Sequence, residues 1–354
     1  MFNLQLVQDR REAQKRMGSP YQLAGTRHYQ LLNGYSGGTR AIDVKTGSGL
    51  EYTVVADRGL DISLASYKGT NITYFTRNEE VHPSYYDSRG AEWLRTFFAG
   101  LLTTCGPTHL GPPCVDEGEE LGLHGRYSSI PAKNVCDLSS FDKGELKITG
   151  IIEDCAPFAS KIQVERSIQS PIGESVILIE DTIRNIGSKD SPLTLLYHIN
   201  FGYPLLSEHS EVFVQSTQFH AYDEYSQQHI DEIYSFRKPS GDNFEKNYWH
   251  IFDQEKKSVY AVIMNRSLMD GLGVYIKFDP EILPYLTHWK LEDELDYVLA
   301  LEPSNTFCYS RSELREKGFL PVIKPHEEIK MRVEIGILDG NHKIDELLKS
   351  IGGI

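Results

Sequence analysis

The sequence predicts an all-β fold of antiparallel sheets, and three observations support this fold class. Apolar residues alternate with polar ones at a period of two, most clearly over 329–337, as in a half-buried strand. Similar short segments recur along the chain, separated by gaps rich in Gly, Pro, Asn and Asp. Helical spacing is rare, and the regular alternation of strands and helices that marks an α/β fold is missing. The pattern therefore favours a sandwich of antiparallel sheets.

The elements follow in chain order. A polar helix is predicted within 5–17 and a short helix within 91–98. Strands are predicted at 51–56, 145–152, 174–183, 193–199, 259–264, 273–278, 297–302 and 329–337. A stripe of Ile344, Leu347, Leu348 and Ile351 predicts a C-terminal helix. Since no Pro- or Ser-rich linker and no charge block divides the chain, we expect one domain over 1–354, with an N-terminal extension (1–20) and a C-terminal helix (341–354).

Charge and cysteine usage limit the function classes. The 354 residues include 50 Asp and Glu against 36 Lys and Arg, a formal net charge of -14. Nucleic acids and anionic membranes reward clustered positive charge, so neither is expected as a partner. The five cysteines contain no C-x-x-C pair, which indicates free thiols in a reducing compartment. The N-terminus lacks the apolar stretch of a signal peptide, so we expect a cytoplasmic protein.

Motifs for cofactor chemistry are missing from the sequence. It contains no phosphate-binding G-x-x-x-x-G-K-[ST], no strand–G-x-G-x-x-G–helix unit and no H-E-x-x-H metal spacing. What remains is general acid–base chemistry by dispersed side chains.

Three segments place a polar side chain where chemistry could use it. His124 lies in the Gly-rich turn 122–126, His198 interrupts an apolar strand, and Glu302 ends another. Each has an ordinary alternative: a turn histidine, a hydrogen-bonded core histidine and an exposed strand-end carboxylate. Taken together, one carboxylate and two imidazoles could open a sugar ring, which needs a base for the anomeric hydroxyl and an acid for the ring oxygen.

At this point the chain resembles a known family. The tracts 56–62 (ADRGLDI), 98–106 (FAGLLTTCG), 123–126 (LHGR), 197–202 (YHINFG), 283–290 (LPYLTHWK) and 301–305 (LEPSN) are similar to those of the galactose-mutarotase-like (aldose 1-epimerase) superfamily, in its DUF4432 branch. The resemblance implies a β-supersandwich whose concave face holds a sugar. It also implies that Glu302 is the general base, His198 the acid that protonates the ring oxygen, and His124 a second imidazole that orients the opening ring. The resemblance implies no metal and no organic cofactor.

The resemblance is incomplete at the residues that would bind the sugar. The Asp that fixes sugar hydroxyls in the superfamily has only approximate matches here, Asp242 and Asp279. Candidate substrate-binding residues are Arg58, Arg95, Trp289 and Lys290: Trp289 could cover the apolar side of a pyranose, and the cations could bind hydroxyls or a negative substituent. Arg58 could instead pair with Asp57 or Asp61 in a turn, and Arg95 could be structural. These residues lead us to expect an acidic exterior around a mixed or basic pocket.

The sequence thus predicts an aldose 1-epimerase-like isomerase acting on a small-molecule carbohydrate, and a homodimer is compatible with it. Two alternatives stay open. One is a sugar-binding or sensor protein that has lost turnover. The other is an isomerase or lyase acting on an acidic sugar in the same cleft.

Overall fold

The computed structural model describes residues 10–241 and 244–353, and most of these lie in or between antiparallel strands. The strands are numbered β1 to β23 in chain order. A five-stranded sheet, in the order β1-β2-β3-β4-β5, is formed by Gly25–Gln30, Arg40–Lys45, Leu50–Val55, Asp61–Tyr67 and Thr70–Asn71. It occupies the N-terminal part of the chain.

An eight-stranded sheet is the largest element. Its order is β15 (Ser210–Val214), β18 (Val259–Asn265), β19 (Leu272–Phe278), β23 (Glu328–Asp339), β12 (Val176–Asn185), β11 (Lys161–Pro171), β10 (Glu145–Cys155) and β9 (Lys133–Asp137). A six-stranded sheet has the order β16 (Gln218–Ala221), β17 (Lys246–Ile251), β20 (Tyr285–Glu292), β21 (Tyr297–Ser304), β14 (Leu196–Phe201) and β6 (Thr103–Cys105). Two small ribbons pair β7 (Cys114–Asp116) with β8 (Glu119–Leu121), and β13 (Ser191–Pro192) with β22 (Val322–Ile323).

Helices are few and short in the described part of the chain. The α-helices are α1 (Arg10–Gln14), α2 (Glu224–Gln228), α3 (Arg311–Lys317) and α4 (Asn341–Ile351). Single 3-10 turns cover Pro20–Gln22, Gly34–Ser36, Pro83–Tyr85, Glu92–Thr96, Tyr127–Ser129 and Ile230–Glu232. The α3 helix begins with a capping box, in which Ser310 and Glu313 bond each other's backbone, and ends at Gly318 in the left-handed conformation.

The predicted all-β class is confirmed, and each predicted strand lies on an observed one. The segment predicted at 193–199 begins only at Leu196, because the Thr194 and Leu195 amides donate to Pro107 and to the Asn305 side chain instead of to a ladder. The helix predicted within 91–98 is the 3-10 turn Glu92–Thr96. Of the helix predicted within 5–17, residues 5–9 lie outside the described part of the chain.

The core explains why the six-stranded sheet can carry a site. Its core-facing row includes Ile199 and Leu301, both fully buried in one cluster with side chains of the other two large sheets. Because successive strand residues point to opposite faces, the residues between them face away from this core. His198 and Glu302 are two of those residues. The single-domain organisation stays a prediction, and this shared core supports it.

Candidate functional site

Four neighbouring strands place one side chain each in a row across the outer face of the six-stranded sheet. Glu302 on β21 pairs with Thr287 on β20, which pairs with Trp249 on β17. The register of β14 and β21 (Leu196 opposite Ser304, Ile199 opposite Leu301) puts His198 opposite Glu302. Side chains of directly opposed residues share a face. Two residues further along, Trp289 and Asn247 form a second pair on the same face.

His124 reaches this face from the Gly-rich turn, where close backbone packing requires the glycines. Gly125 has φ of 71°, and a Cβ there would lie 2.3 Å from the His109 carbonyl oxygen. At Gly122, a Cβ would lie 2.2 Å from the Ser88 carbonyl oxygen. The glycines therefore let the turn pack tightly against neighbouring backbone, which fixes the position of His124.

One hydrogen bond fixes the tautomer of His124. Its Nδ1 lies 2.7 Å from the Leu110 carbonyl oxygen, which can only accept, so Nδ1 carries the proton. Burial lowers the pKa of His124 to about 4, although this hydrogen bond acts in the opposite direction. A neutral ring with Nδ1–H leaves Nε2 as an acceptor. The His124 ring stands edge-on to that of His198, with centroids 5.9 Å apart.

His198 and Glu302 form a buried acid–base pair. His198 Nε2 lies 3.4 Å from Glu302 Oε1, and their side chains are only 6% and 3% exposed. Burial raises the pKa of Glu302 well above its ordinary value, and the charge of Glu245 adds to this. Burial lowers the pKa of His198 well below its ordinary value, with a further contribution from His124. Burial therefore favours the neutral forms of both groups.

The cleft around this pair has a volume of about 250 Å³. Its walls are largely aromatic, and polar groups that the sequence did not single out also line it. The lining residues include Trp93, Phe97, Leu123, Tyr222, Glu245, Asn247, Trp249, Thr287, Trp289 and Cys308, besides the two histidines and Glu302. Trp289 Nε1 donates to Glu245 Oε2 at 3.0 Å. Alternation on β17 could have placed Asn247 and Trp249 on one face of a strand, but the position of that strand beside β20 was not visible in the sequence.

Of the four predicted substrate-binding residues, Trp289 lines the cleft and the other three do not. Arg58 is fully buried: its Nη1 donates to the Val81 carbonyl at 2.7 Å, its Nε donates to the Ser128 carbonyl, and its guanidinium lies over Phe98. Neither turn ion pair considered for Arg58 forms, because Asp57 pairs with Arg40 and Asp61 with Arg166.

Arg95 and Lys290 are turned away from the cleft for different reasons. Arg95 is exposed on the 3-10 turn and pairs with Glu92 at 2.7 Å. Lys290 follows Trp289 on β20 and therefore points to the opposite face. There it is fully buried, 3.4 Å from Glu292, and donates to the carbonyls of Glu232 and Ser235. These three cations are removed from the set of substrate-binding candidates.

The charge expected for the pocket is also corrected. No Lys or Arg lines the cleft within residues 10–241 and 244–353, whereas Glu245 and Glu302 do. The expectation of a mixed or basic pocket was wrong because Arg58 and Lys290 are buried elsewhere. Asp242 lies outside the described residues, and Asp279 caps a turn, its Oδ1 accepting from the Glu281 amide.

The described residues contain neither a candidate metal site nor a membrane-spanning helix. They contain no group of three or more His, Cys, Asp or Glu side chains arranged to hold a metal ion. No helix among them has the length and apolar character needed to cross a membrane.

Comparison with known families identifies the chain's family. A family model described as a domain of unknown function, DUF4432, matches residues 36–337. The chain belongs to the DUF4432 family. No sequence among curated proteins matches this DUF4432 chain.

Solved structures share its fold. A Klebsiella pneumoniae protein described as a "putative aldose 1-epimerase" superposes with a TM-score of 0.87 at 20% identity, covering 97% of this chain and 90% of that one. A galactose 1-epimerase from Lactobacillus acidophilus gives 0.60 at 10% identity, covering 90% and 100%. A galactose mutarotase-like protein from Clostridium acetobutylicum gives 0.62 at 13%, covering 90% and 99%. At these identities the comparisons show the galactose-mutarotase-like fold of the DUF4432 chain.

Proposed function

We propose that this protein is an aldose 1-epimerase-like isomerase that interconverts the anomers of a sugar by opening and closing its ring. The single observation that carries the proposal is the His198–Glu302 pair, buried at the bottom of an aromatic cleft with His124 beside it. The shared fold of proteins described as epimerases supports it.

The two groups supply the two proton transfers that ring opening requires. Glu302 takes the proton from the C1 hydroxyl while His198 gives a proton to the ring oxygen, the C1–O5 bond breaks and C1 becomes an aldehyde carbon. Rotation about C1–C2 presents the other face of the aldehyde. The same protons then return, from Glu302 to the carbonyl oxygen and from the O5 hydroxyl to His198. The neutral Nε2 of His124 accepts from a sugar hydroxyl and orients the ring.

The protonation state of the His198–Glu302 pair suits this cycle. In the empty cleft one proton is held by the two groups, and desolvation favours its place on Glu302. Transfer of that proton to His198 Nε2, 3.4 Å away, creates the base and the acid together and exchanges nothing with solvent. Sugar hydroxyls that donate to the Glu302 carboxylate favour the transferred state. Anomer exchange therefore needs the His198–Glu302 pair to hold one proton between its two groups. It should stop when the pair holds two protons or none.

The requirement for one proton on the His198–Glu302 pair predicts the pH profile of kcat/KM. Activity should fall at high pH, when the shared proton is lost from Glu302, and at low pH, when His198 gains a second proton. Because burial lowers the pKa of His198, the acid limb should lie below the ordinary histidine pKa of about 6.5.

Anomer exchange by NMR tests the proposal directly. The protein is incubated with a panel of pentoses and hexoses, and saturation of one anomeric proton is followed at the other. Methyl glycosides of the same sugars are the control, since they have no anomeric hydroxyl and cannot open. Exchange above the uncatalysed rate for a free sugar, with none for its glycoside, is the expected result. Binding of sugars without exchange for any of them would indicate a non-catalytic sugar-binding protein instead.

Lyase or isomerase chemistry on an acidic sugar has less support. This hypothesis needs Lys290 and the arginines to neutralise a substrate carboxylate. These cations do not line the cleft.

A further inference from the structure

The mouth of the cleft combines aromatic faces with a carboxylate. The Trp249 and Tyr222 rings meet edge to face, with centroids 5.2 Å apart, and the Tyr222 amide donates to the Asn247 carbonyl at 2.9 Å. Trp289, opposite Asn247, donates its Nε1 to Glu245. Three aromatic side chains and one carboxylate thus line the same opening.

Glu245 influences the bottom of the cleft as well as its mouth. It raises the pKa of Glu302 and contributes, after burial and Glu302, to raising that of the Cys308 thiol. A carboxylate that disfavours negative charge on two neighbours favours positive charge between them. Within the described residues no Lys or Arg lines the cleft to offset this field.

A donor in the cleft wall also lacks a partner. Trp249 is 7% exposed, and its Nε1 has no hydrogen-bond partner among the described residues. An unpartnered buried donor points to a ligand acceptor, such as a sugar hydroxyl oxygen. Trp249 and Asn247 therefore offer hydrogen bonds to the uncharged part of a ligand, whereas Glu245 and the aromatic side chains of Trp289 and Tyr222 suit a cation.

We propose that this opening is an ammonium subsite and that the preferred substrates are aldoses carrying a protonated amine. An aromatic cage closed by a carboxylate binds an ammonium group through ring quadrupoles and a charge-assisted hydrogen bond. A uronate or sugar phosphate would meet Glu245 with no cation beside it. Glu245 is the specificity-determining residue of this subsite. Turnover of amino sugars rests on the proposed function, whereas their binding does not.

A matched set of sugars tests the subsite. Glucose, glucosamine, 6-amino-6-deoxyglucose, N-acetylglucosamine and glucuronate differ mainly in charge, and they are compared by NMR anomer exchange below the pKa of the amines. At least one amino sugar should have kcat/KM at least tenfold above glucose and N-acetylglucosamine, with glucuronate the poorest. In Glu245→Gln, which keeps an acceptor for Trp289, the preference should shrink to within threefold. Glu255→Gln, the same charge change at an exposed site outside the cleft, should leave the preference intact.

Two outcomes would overturn the subsite: glucuronate turned over as well as both amino sugars, or a preference that Glu245→Gln leaves unchanged. Binding of the same ligands, followed by tryptophan fluorescence, separates this inference from the proposed function. Exchange of neutral sugars without amine preference would remove the subsite and keep the epimerase. Tighter binding of amino sugars with no exchange of any sugar would keep the subsite and remove the epimerase.

Discussion

Arg166 should be the most stability-critical charged residue of the fold. It lies on β11, fully buried, with Nη2 2.7 Å from Asp181 on β12 and Nη1 2.7 Å from Asp61 on β4. Arg166→Met keeps the length of the side chain and leaves both carboxylates in the core without their cation. Removal of one partner from a buried ion pair typically costs about 3–5 kcal/mol.

The pKa of Asp61 gives a second measure of this cost. Even beside Arg166, burial raises that pKa from 3.8 to about 6. A shift of about two units corresponds to roughly 3 kcal/mol against the ionised form, and loss of Arg166 adds to it. The expected decrease in the free energy of unfolding at neutral pH is therefore about 3–5 kcal/mol. For a chain of 354 residues this corresponds to a fall in Tm of roughly 4–7 °C.

The pH dependence identifies the cause. The folded pKa of Asp61 is raised, so its contribution to stability is full below the unfolded pKa of about 3.9 and is lost as pH rises through the folded pKa. Arg166→Met moves the folded pKa further up, so the deficit against wild type should be larger at pH 8 than at pH 4. Urea titrations at several pH values measure it, with Arg332→Met, at an exposed position on β23, as the surface control. A deficit under 1 kcal/mol, or one that does not change with pH, would refute the reasoning.

Three further predictions follow from the site and its surroundings. His198→Asn should lower the rate of anomer exchange by about 10²–10⁴-fold with the Tm retained; a rate within threefold of wild type would contradict its role. His109 and His250 are fully buried, and burial lowers their pKa values to about 4 and about 3, so the protein should lose stability in acid. A lowered folded pKa gives full stability above about pH 6.5. As pH falls below this value, each histidine should lower the free energy of unfolding by up to roughly 1.4 kcal/mol per pH unit. Because the raised pKa of Asp61 acts in the opposite direction, the comparison is made with His250→Asn, whose urea midpoint should fall less between pH 7 and pH 4.5 than that of wild type; an equal fall would count against this. Lys290→Met should lower the free energy of unfolding by about 1–3 kcal/mol, since it removes the donor from two part-buried carbonyls and a cation from beside the buried Glu292. The sugar affinity of the folded protein should be unchanged, and a selective loss of affinity would return Lys290 to the cleft.

Period-two alternation made the fold predictable, because a strand with one buried face must alternate. The 329–337 segment lies on β23, next to β12 and β19 at the centre of the large sheet. The catalytic candidates could be predicted from the sequence for a related reason. A polar residue inside an apolar strand, such as His198, needs a hydrogen-bond partner or a functional role, because its burial is otherwise costly. Such a residue can therefore be identified as a candidate from the sequence.

The charged substrate-binding candidates could not be judged in the same way. The tract 56–62 includes Asp57, Arg58 and Asp61, and the structure shows these residues in buried structural roles: an ion pair with Arg40, bonds to backbone carbonyls and a pair with Arg166. Resemblance does not separate residues kept for packing from residues kept for binding. Glu245 carries no motif at all, and only the pairing of β17 with β20 brings it to Trp289.

The central claim is that Glu302 exchanges a proton with the anomeric hydroxyl, and one NMR measurement tests it most directly. Saturation transfer between the α and β anomers of a sugar that the wild type turns over is recorded for wild type, Glu302→Gln and the surface control Glu255→Gln. The amide keeps the size of the side chain and cannot accept the proton, so exchange should fall by about 10²–10⁴-fold in Glu302→Gln alone, with the fold intact by circular dichroism. Exchange at the wild-type rate in a folded Glu302→Gln protein would contradict the account.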